Sequence, residues 1–263
     1  MSYPVLSTAQ IQQFATDGYL VVDDVVDAPG VELLLRLFAG DQALAARTSS
    51  NKNYDGKELV TPIAYAQQLT DDAYSAVARS RRLVDPLEQL FGDDVTHYYT
   101  LNMMKIPNTG GWQWHQDYGY HYKQFLYTDY ISVMVALDPA TSANGCLRVV
   151  KGSNGLGRLD HQTSGSQLIA NPERVDFALQ HLEEVRCELS PGAALYFHGN
   201  TLHASDANTS DRSRFSLIYS FVAASNVWVE TESKSQCTLV DKLTDEEVAE
   251  VTRRHWERVQ AAQ

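Results

Sequence analysis

Three short stretches carry residues whose types and spacing suit one piece of chemistry. Trp114-His115-Gln116-Asp117 sets an imidazole and a carboxylate two positions apart. On extended backbone, residues i and i+2 point to the same side, so both can meet one ion. A lone pair of this kind is more often a surface or hydrogen-bonded histidine. The second stretch, from Tyr196 to Ser205, reads as a strand that ends, turns at Gly199-Asn200 and brings two histidines, His198 and His203. The third, Arg212-Ser213-Arg214-Phe215-Ser216, opens an alternating strand. In it Arg214, Ser216 and Ile218 share one face, and Phe215, Leu217 and Tyr219 share the other.

Taken together the three say more. Two histidines and one carboxylate on one face of Fe(II) form the facial triad of non-haem oxygenases, which leaves three coordination positions open. 2-Oxoglutarate fills two of them through its C1 carboxylate and keto oxygen, and O2 takes the last. The far carboxylate of 2-oxoglutarate then needs a planar, permanently charged partner, which arginine supplies bidentately and lysine does not.

On these residues the chain resembles the phytanoyl-CoA dioxygenase family, and within it the ectoine hydroxylase-like bacterial enzymes. The resemblance rests on Trp114-His115-Gln116-Asp117, on His203-Ala204-Ser205, and on Arg214 eleven residues beyond His203. Asp17-Gly18-Tyr19, Asn144-Gly145-Cys146-Leu147 before Gly152-Ser153, Leu156-Gly157-Arg158 and the stretch from Asn208 to Ser210 add to it, so it spans residues 7 to 224. It implies a double-stranded β-helix with His115, Asp117 and His203 as metal ligands and catalytic residues. It also implies Fe(II), 2-oxoglutarate and O2 as cofactor and cosubstrates. Arg214 matches the arginine that binds 2-oxoglutarate, with Ser132 and Asn102 as further cosubstrate residues. His198 sits before the turn, and the eleven-residue spacing to Arg214 favours His203; Arg212 shares parity with Arg214, so only the family spacing separates that pair. Two positions depart from the pattern: Asn154 stands where relatives commonly carry a histidine, and His121 where an aromatic is expected.

The rest of the sequence bounds the setting. Lys and Arg number 21 against 33 Asp and Glu, a net charge of −12. Such a chain is repelled by phosphate backbones and anionic lipid, which argues against nucleic-acid and membrane partners. Three scattered cysteines, Cys146, Cys187 and Cys237, form no pairing framework and fit a reducing compartment. The first residues lack the cationic start and apolar core of a signal peptide, and no apolar run is long enough to span a bilayer. The expectation is a cytoplasmic monomer or homodimer acting on a small molecule.

Residues 1–263 read as a single dioxygenase domain that is mainly β with flanking helices around a double-stranded β-helix (jelly-roll, cupin-like) core. A helical part covers about residues 1–94, the jelly roll about 95–224, and a last helix about 244–260. Ser7 to Gln10 is a capping box that opens the first helix, and Asp17-Gly18 stops it. Val31 to Ala46 and Ala73 to Phe91 carry helical spacing. From Val95 onward, runs rich in Val, Ile, Tyr and Phe alternate with turn signals such as Asn144-Gly145 and Pro191-Gly192. Tyr118 to Thr128 and Lys151 to Ala170 are long, irregular, and read as lids over the site. Tyr118, Tyr120, His121 and Trp228 are the expected substrate-facing residues. Three rivals are a halogenase, which needs the Asp117 position emptied, a zinc hydrolase on the same ligands, and a catalytically silent metal-binding jelly roll.

Overall fold

The structure, a computed structural model, describes residues 5–52, 60–165, 167–229 and 237–263. Two sheets carry the site. The larger runs in the order β1 (Tyr19–Val22), β11 (Ala194–His198), β6 (Tyr130–Ala136), β13 (Arg214–Ala223), β4 (Val95–Lys105), β3 (Val60–Ala66) and β2 (Thr48–Lys52). The short β14 (Thr238–Leu239) also pairs with β4. The smaller sheet runs β10 (Glu184–Cys187), β7 (Leu147–Val150), β12 (His203–Ser205) and β5 (Trp112–His115). A two-stranded hairpin, β8 (His161–Ser164) with β9 (Gln167–Ala170), stands apart from both. This is the expected jelly roll.

Alternation decides what each face of the large sheet does. Val133 and Val135 on β6, with Leu217 and Tyr219 on β13, pack into one apolar core with Leu34, Leu37, Leu83 and Leu87 of the helices. Met134, Arg214 and Ile218 point the other way, into the space between the two sheets. The helices thus back the large sheet, and the small sheet closes its other face.

Two helical segments are broken where one continuous helix was expected. The first is α2 (Ala28–Gly40) followed by α3 (Gln42–Arg47), with the Asp41 carboxylate accepting from Ala43 and Leu44 N–H at the break. The second is α4 (Ala73–Arg79) followed by α5 (Arg81–Phe91), where extended Ser80 caps the new helix. Asp and Ser compete for backbone N–H groups and so favour caps over helix interiors. The strand expected at Tyr19 to Val22 is β1, but the first ninety residues are otherwise less helical than expected, since β2 and β3 extend the large sheet.

The expected stop at Asp17-Gly18 bears directly on the site. Helix α1 (Thr8–Asp17) opens with the Ser7 capping box and ends at Gly18, whose φ of 80° is left-handed. Its end docks on the turn before β12: Thr201 Oγ1 donates to Gly18 O at 2.8 Å, and His198 N donates to the same carbonyl at 2.9 Å. A Cβ at Gly18 would lie 2.6 Å from both Thr201 Oγ1 and Asn154 Oδ1. Gly18→Ala therefore combines a left-handed backbone with a clash. We expect a loss of about 2 kcal/mol, or a Tm lowered by roughly 4–8 °C, measurable by calorimetry; an unchanged Tm would contradict this docking.

Candidate active site

His115 ends β5, and Asp117 opens the short helix α6 (Asp117–His121), with extended Gln116 between them. His203 begins β12 and lies directly opposite His115 in the antiparallel pairing. The two rings sit 4.1 Å apart between centroids. Asp117 Oδ1 lies 3.4 Å from His203 Nε2 and 3.7 Å from His115 Nε2. One donor atom from each of the three residues falls within 4.8 Å of the others. Strand pairing and the i, i+2 relation thus bring the three together.

Their surroundings orient them. His115 Nδ1 hydrogen-bonds Gln113 O at 2.6 Å, and His203 Nδ1 hydrogen-bonds Thr201 O at 2.9 Å. A carbonyl accepts only, so each Nδ1 carries a proton and each Nε2 is the ring nitrogen turned toward Asp117. Burial pushes the His115 pKa down to about 3, with His203 adding to the effect and Asp117 opposing it, so the ring is neutral. Burial pushes the Asp117 carboxyl up, but His203, His115 and the Ser132 hydroxyl outweigh it, and the group stays well below the usual carboxylate range. Two imidazoles and a carboxylate are the donor set that holds Fe(II) facially.

The three line a cavity of about 150 Å³ between the sheets, together with Tyr99, Trp112, Ser205 and Arg214. The rest of its wall is apolar: Ile63, Leu101, Met103, Met134, Leu147, Phe197 and Ile218. Arg214 is 2% exposed. Its Nη atoms approach only the Met134 and Met103 sulfurs, at 3.7 and 3.6 Å, and its Nε has no partner. Ser216, on the same strand face, likewise has a buried hydroxyl without a partner. Burial alone pushes the Arg214 pKa down to about 10, and among the described residues no carboxylate pairs with it. A buried guanidinium is costly unless an anion joins it. The cavity therefore has three grouped donor side chains at one end and a buried cation at the other.

Other expected site residues are placed differently. Ser132 donates to Asp117 Oδ2 at 2.5 Å, so its hydroxyl holds the triad carboxylate. Asn102 alternates with Leu101 and Met103 and lies on the opposite, helix-backed face of β4, paired with Ala64 and Leu217. Tyr118 and Trp228 belong to an aromatic cluster with Phe125, Tyr98 and Tyr130 outside the cavity lining, and the Tyr118 hydroxyl donates to Phe125 O at 2.9 Å. Tyr120 stands with its ring edge-on to His115, 5.4 Å between centroids, and its hydroxyl donates to Leu168 O at 2.5 Å. His121 bonds the Tyr98 hydroxyl at 3.1 Å and stacks on Tyr130, one ring removed from the cavity through Tyr99. His198 faces away from the cavity, its Nδ1 accepting from Asn200 N at 3.0 Å.

One residue was missed. Lys105 is fully buried opposite Arg214, and its Nζ donates to Gly145 O at 3.3 Å, to Ser205 Oγ at 3.2 Å and to Asp206 O. Burial, then Arg214, pushes its pKa down to about 6. Its parity with Met103 on β4 was the available signal. His161, expected to be structural or solvated, accepts from Gln116 N at 3.0 Å with its ring against Gly119, where a Cβ would lie 2.1 Å away. Of the two expected lids, Tyr118 to Thr128 begins with α6 and packs Tyr118 and Phe125 inward. The second carries the β8–β9 hairpin, pinned to β5 by Gln167, which accepts from Gln113 N and donates to Gly111 O. Residue 166 lies outside the described residues.

A model of the phytanoyl-CoA dioxygenase family matches residues 14–216. The chain belongs to the phytanoyl-CoA dioxygenase family. It is 28% identical over 174 residues to L-proline trans-4-hydroxylase of Streptomyces griseoviridis, covering 59% of this chain and 65% of that relative. The crystal structure of EctD from S. alaskensis with bound Fe matches with a TM-score of 0.73 at 21% identity, covering 91% of this chain and 88% of that one. A second EctD structure, with 2-oxoglutarate and 5-hydroxyectoine, matches at 0.70 and 22% over 86% and 80%. At such identities these structures show that the family fold is shared. The match spans between about half and two thirds of the length of the first curated relatives. Among the described residues no helix is long and apolar enough to cross a membrane.

One consequence concerns Ser132. Removing its hydroxyl leaves Asp117 Oδ2 without that donor, so Ser132→Ala should weaken Fe(II) binding by about tenfold or more while 2-oxoglutarate binding changes little. Anaerobic titration of Fe(II), then of 2-oxoglutarate, checks both; the reverse pattern would return Ser132 to the cosubstrate.

Proposed function

We propose that this chain is an Fe(II)- and 2-oxoglutarate-dependent dioxygenase that hydroxylates a small organic molecule, acting as a single cytoplasmic unit, monomer or homodimer. The observation that carries the reading is Arg214, a buried guanidinium in the same cavity wall as the triad with no carboxylate partner among the described residues. A zinc hydrolase on the same three ligands would leave that arginine and Ser216 without a task. A halogenase is disfavoured because Asp117 occupies the position a halide needs.

In this reading His115, Asp117 and His203 hold Fe(II), and Arg214 with Ser216 binds the far carboxylate of 2-oxoglutarate. When bound, the two activate O2 so that an unactivated C–H is hydroxylated and succinate and CO2 are released. The protein's own part is to hold and exclude. The carbonyls of Gln113 and Thr201 keep both Nε2 atoms aimed at the metal, and Ser132 holds the carboxylate. Leu101, Met103, Met134, Phe197 and Ile218 keep water from the cavity. Lys105, bonded to Ser205, adds a second nitrogen donor at the Arg214 end, held toward its neutral form by burial and by Arg214. Of the four expected substrate-facing residues, Tyr120 is the one whose ring lies against a triad side chain, His115.

Two tests follow. Arg214→Lys cannot reproduce the bidentate fork, so 2-oxoglutarate should bind more weakly by roughly one to two decades, about 1.5–3 kcal/mol. Arg212→Lys, exposed at the strand entry, should bind it as the parent does. Isothermal titration of the Fe(II)-loaded proteins without O2 decides, and loss in Arg212→Lys alone would refute the assignment. In high bromide, product mass spectra should contain hydroxylated species only. A brominated product would favour the halogenase.

A further inference from the structure

Gln116 stands between two members of the triad, yet its side chain does not enter the cavity. It is fully buried, and every polar atom of its amide is used. Nε2 donates to Gly157 O at 2.8 Å and to Asn200 O at 2.7 Å, and Oε1 accepts from Leu159 N at 2.7 Å. Its backbone N–H donates to His161 Nε2 at 3.0 Å. The partners come from two separate segments. One is the stretch 157–161, which leads into the β8–β9 hairpin beside β5. The other is the turn after β11, three residues before His203, which also accepts from Tyr118 N through Gly199 O at 2.9 Å.

We propose that Gln116 is a positioning residue that sets His115 and Asp117 relative to His203. The idea rests on the reading that these three hold the metal. β5 is an edge of the small sheet, paired on one side only with β12. An edge strand followed by a five-residue helix has little of its own to fix the angle between two ligands. The Gln116 amide supplies that constraint from the outside. It fixes the Cα atoms on either side of its own peptide planes against the 157–161 stretch and against the turn that carries the third ligand. Chemistry dictates the residue type. Two carbonyls and one N–H converge on the site, and only a primary amide offers two donors and an acceptor there. Glutamate would set an anion against two carbonyl oxygens, and asparagine is one carbon short.

The test compares Gln116→Glu and the uncharged Gln116→Met with Tyr196→Phe, which loses a distant buried hydrogen bond to Leu83 O. Each protein is melted, titrated anaerobically with Fe(II), and its visible absorption recorded after adding 2-oxoglutarate. Both Gln116 variants should bind Fe(II) about 10–100-fold more weakly and give a weakened or shifted chelate absorption. Tyr196→Phe should lose stability while keeping the parent's Fe(II) affinity and spectrum. His161→Ala, which removes the acceptor of the Gln116 N–H and the ring's own bond to Leu159 O but leaves the Gln116 amide, should fall between. Parent-like Fe(II) affinity and spectrum in Gln116→Met would overturn the proposal, as would Fe(II) losses in Tyr196→Phe that match its own. If the unsubstituted protein binds Fe(II) no better than His203→Ala, the metal reading itself fails.

Discussion

Three donor atoms, two from imidazoles and one from a buried carboxylate, must be held within 4.8 Å of one another, and much of the fold serves that demand. The antiparallel pairing of β5 with β12 sets His203 opposite His115, and the start of α6 swings Asp117 in beside them. A buried carboxylate without partners would be expensive. Here Ser132 and the two histidines supply them, and backbone carbonyls of Gln113 and Thr201 settle which ring nitrogens are free. The chain of support extends outward to the α1 stop at Gly18, because Thr201 hangs from its carbonyl.

The second organising charge lies at the other end of the cavity. Arg214 and Lys105 are buried side by side on paired strands, and each is pushed toward its neutral form by burial. Lys105 is answered by two carbonyls and a hydroxyl, whereas Arg214 meets only two thioether sulfurs. That asymmetry gives the cavity its polarity. One end groups the donor atoms of the triad, the other holds a buried guanidinium, and apolar side chains lie between.

Much of this was legible in the sequence because it depends on strand geometry. The i, i+2 spacing of His115 and Asp117 and the parity of Arg214, Ser216 and Ile218 follow from the pleat alone. The choice of His203 over His198 came from family spacing, and the geometry agrees, since His198 is turned outward. What failed depended on contacts between distant segments. Parity could have excluded Asn102 had the inward face of β4 been assigned from Leu101 and Met103. Tyr118 and Trp228 are near the triad in sequence or in the expected rim, but an apolar neighbourhood around Phe125 claims them. Lys105 offered only its parity with Met103 and Gln116 no local signal at all, because their partners lie 40 to 101 and 41 to 84 residues away. The breaks at Asp41 and Ser80 were readable as caps, but the surrounding helical periodicity masked them.

The most direct test is a crystal structure of the protein grown without O2 in Fe(II) and 2-oxoglutarate, with anomalous scattering recorded at the iron edge. The account predicts one iron peak bounded by His115 Nε2, Asp117 and His203 Nε2, with the far carboxylate of 2-oxoglutarate on the Arg214 guanidinium. Iron held by His198 in place of His203, or a cosubstrate carboxylate that leaves Arg214 without a counter-ion, would contradict it.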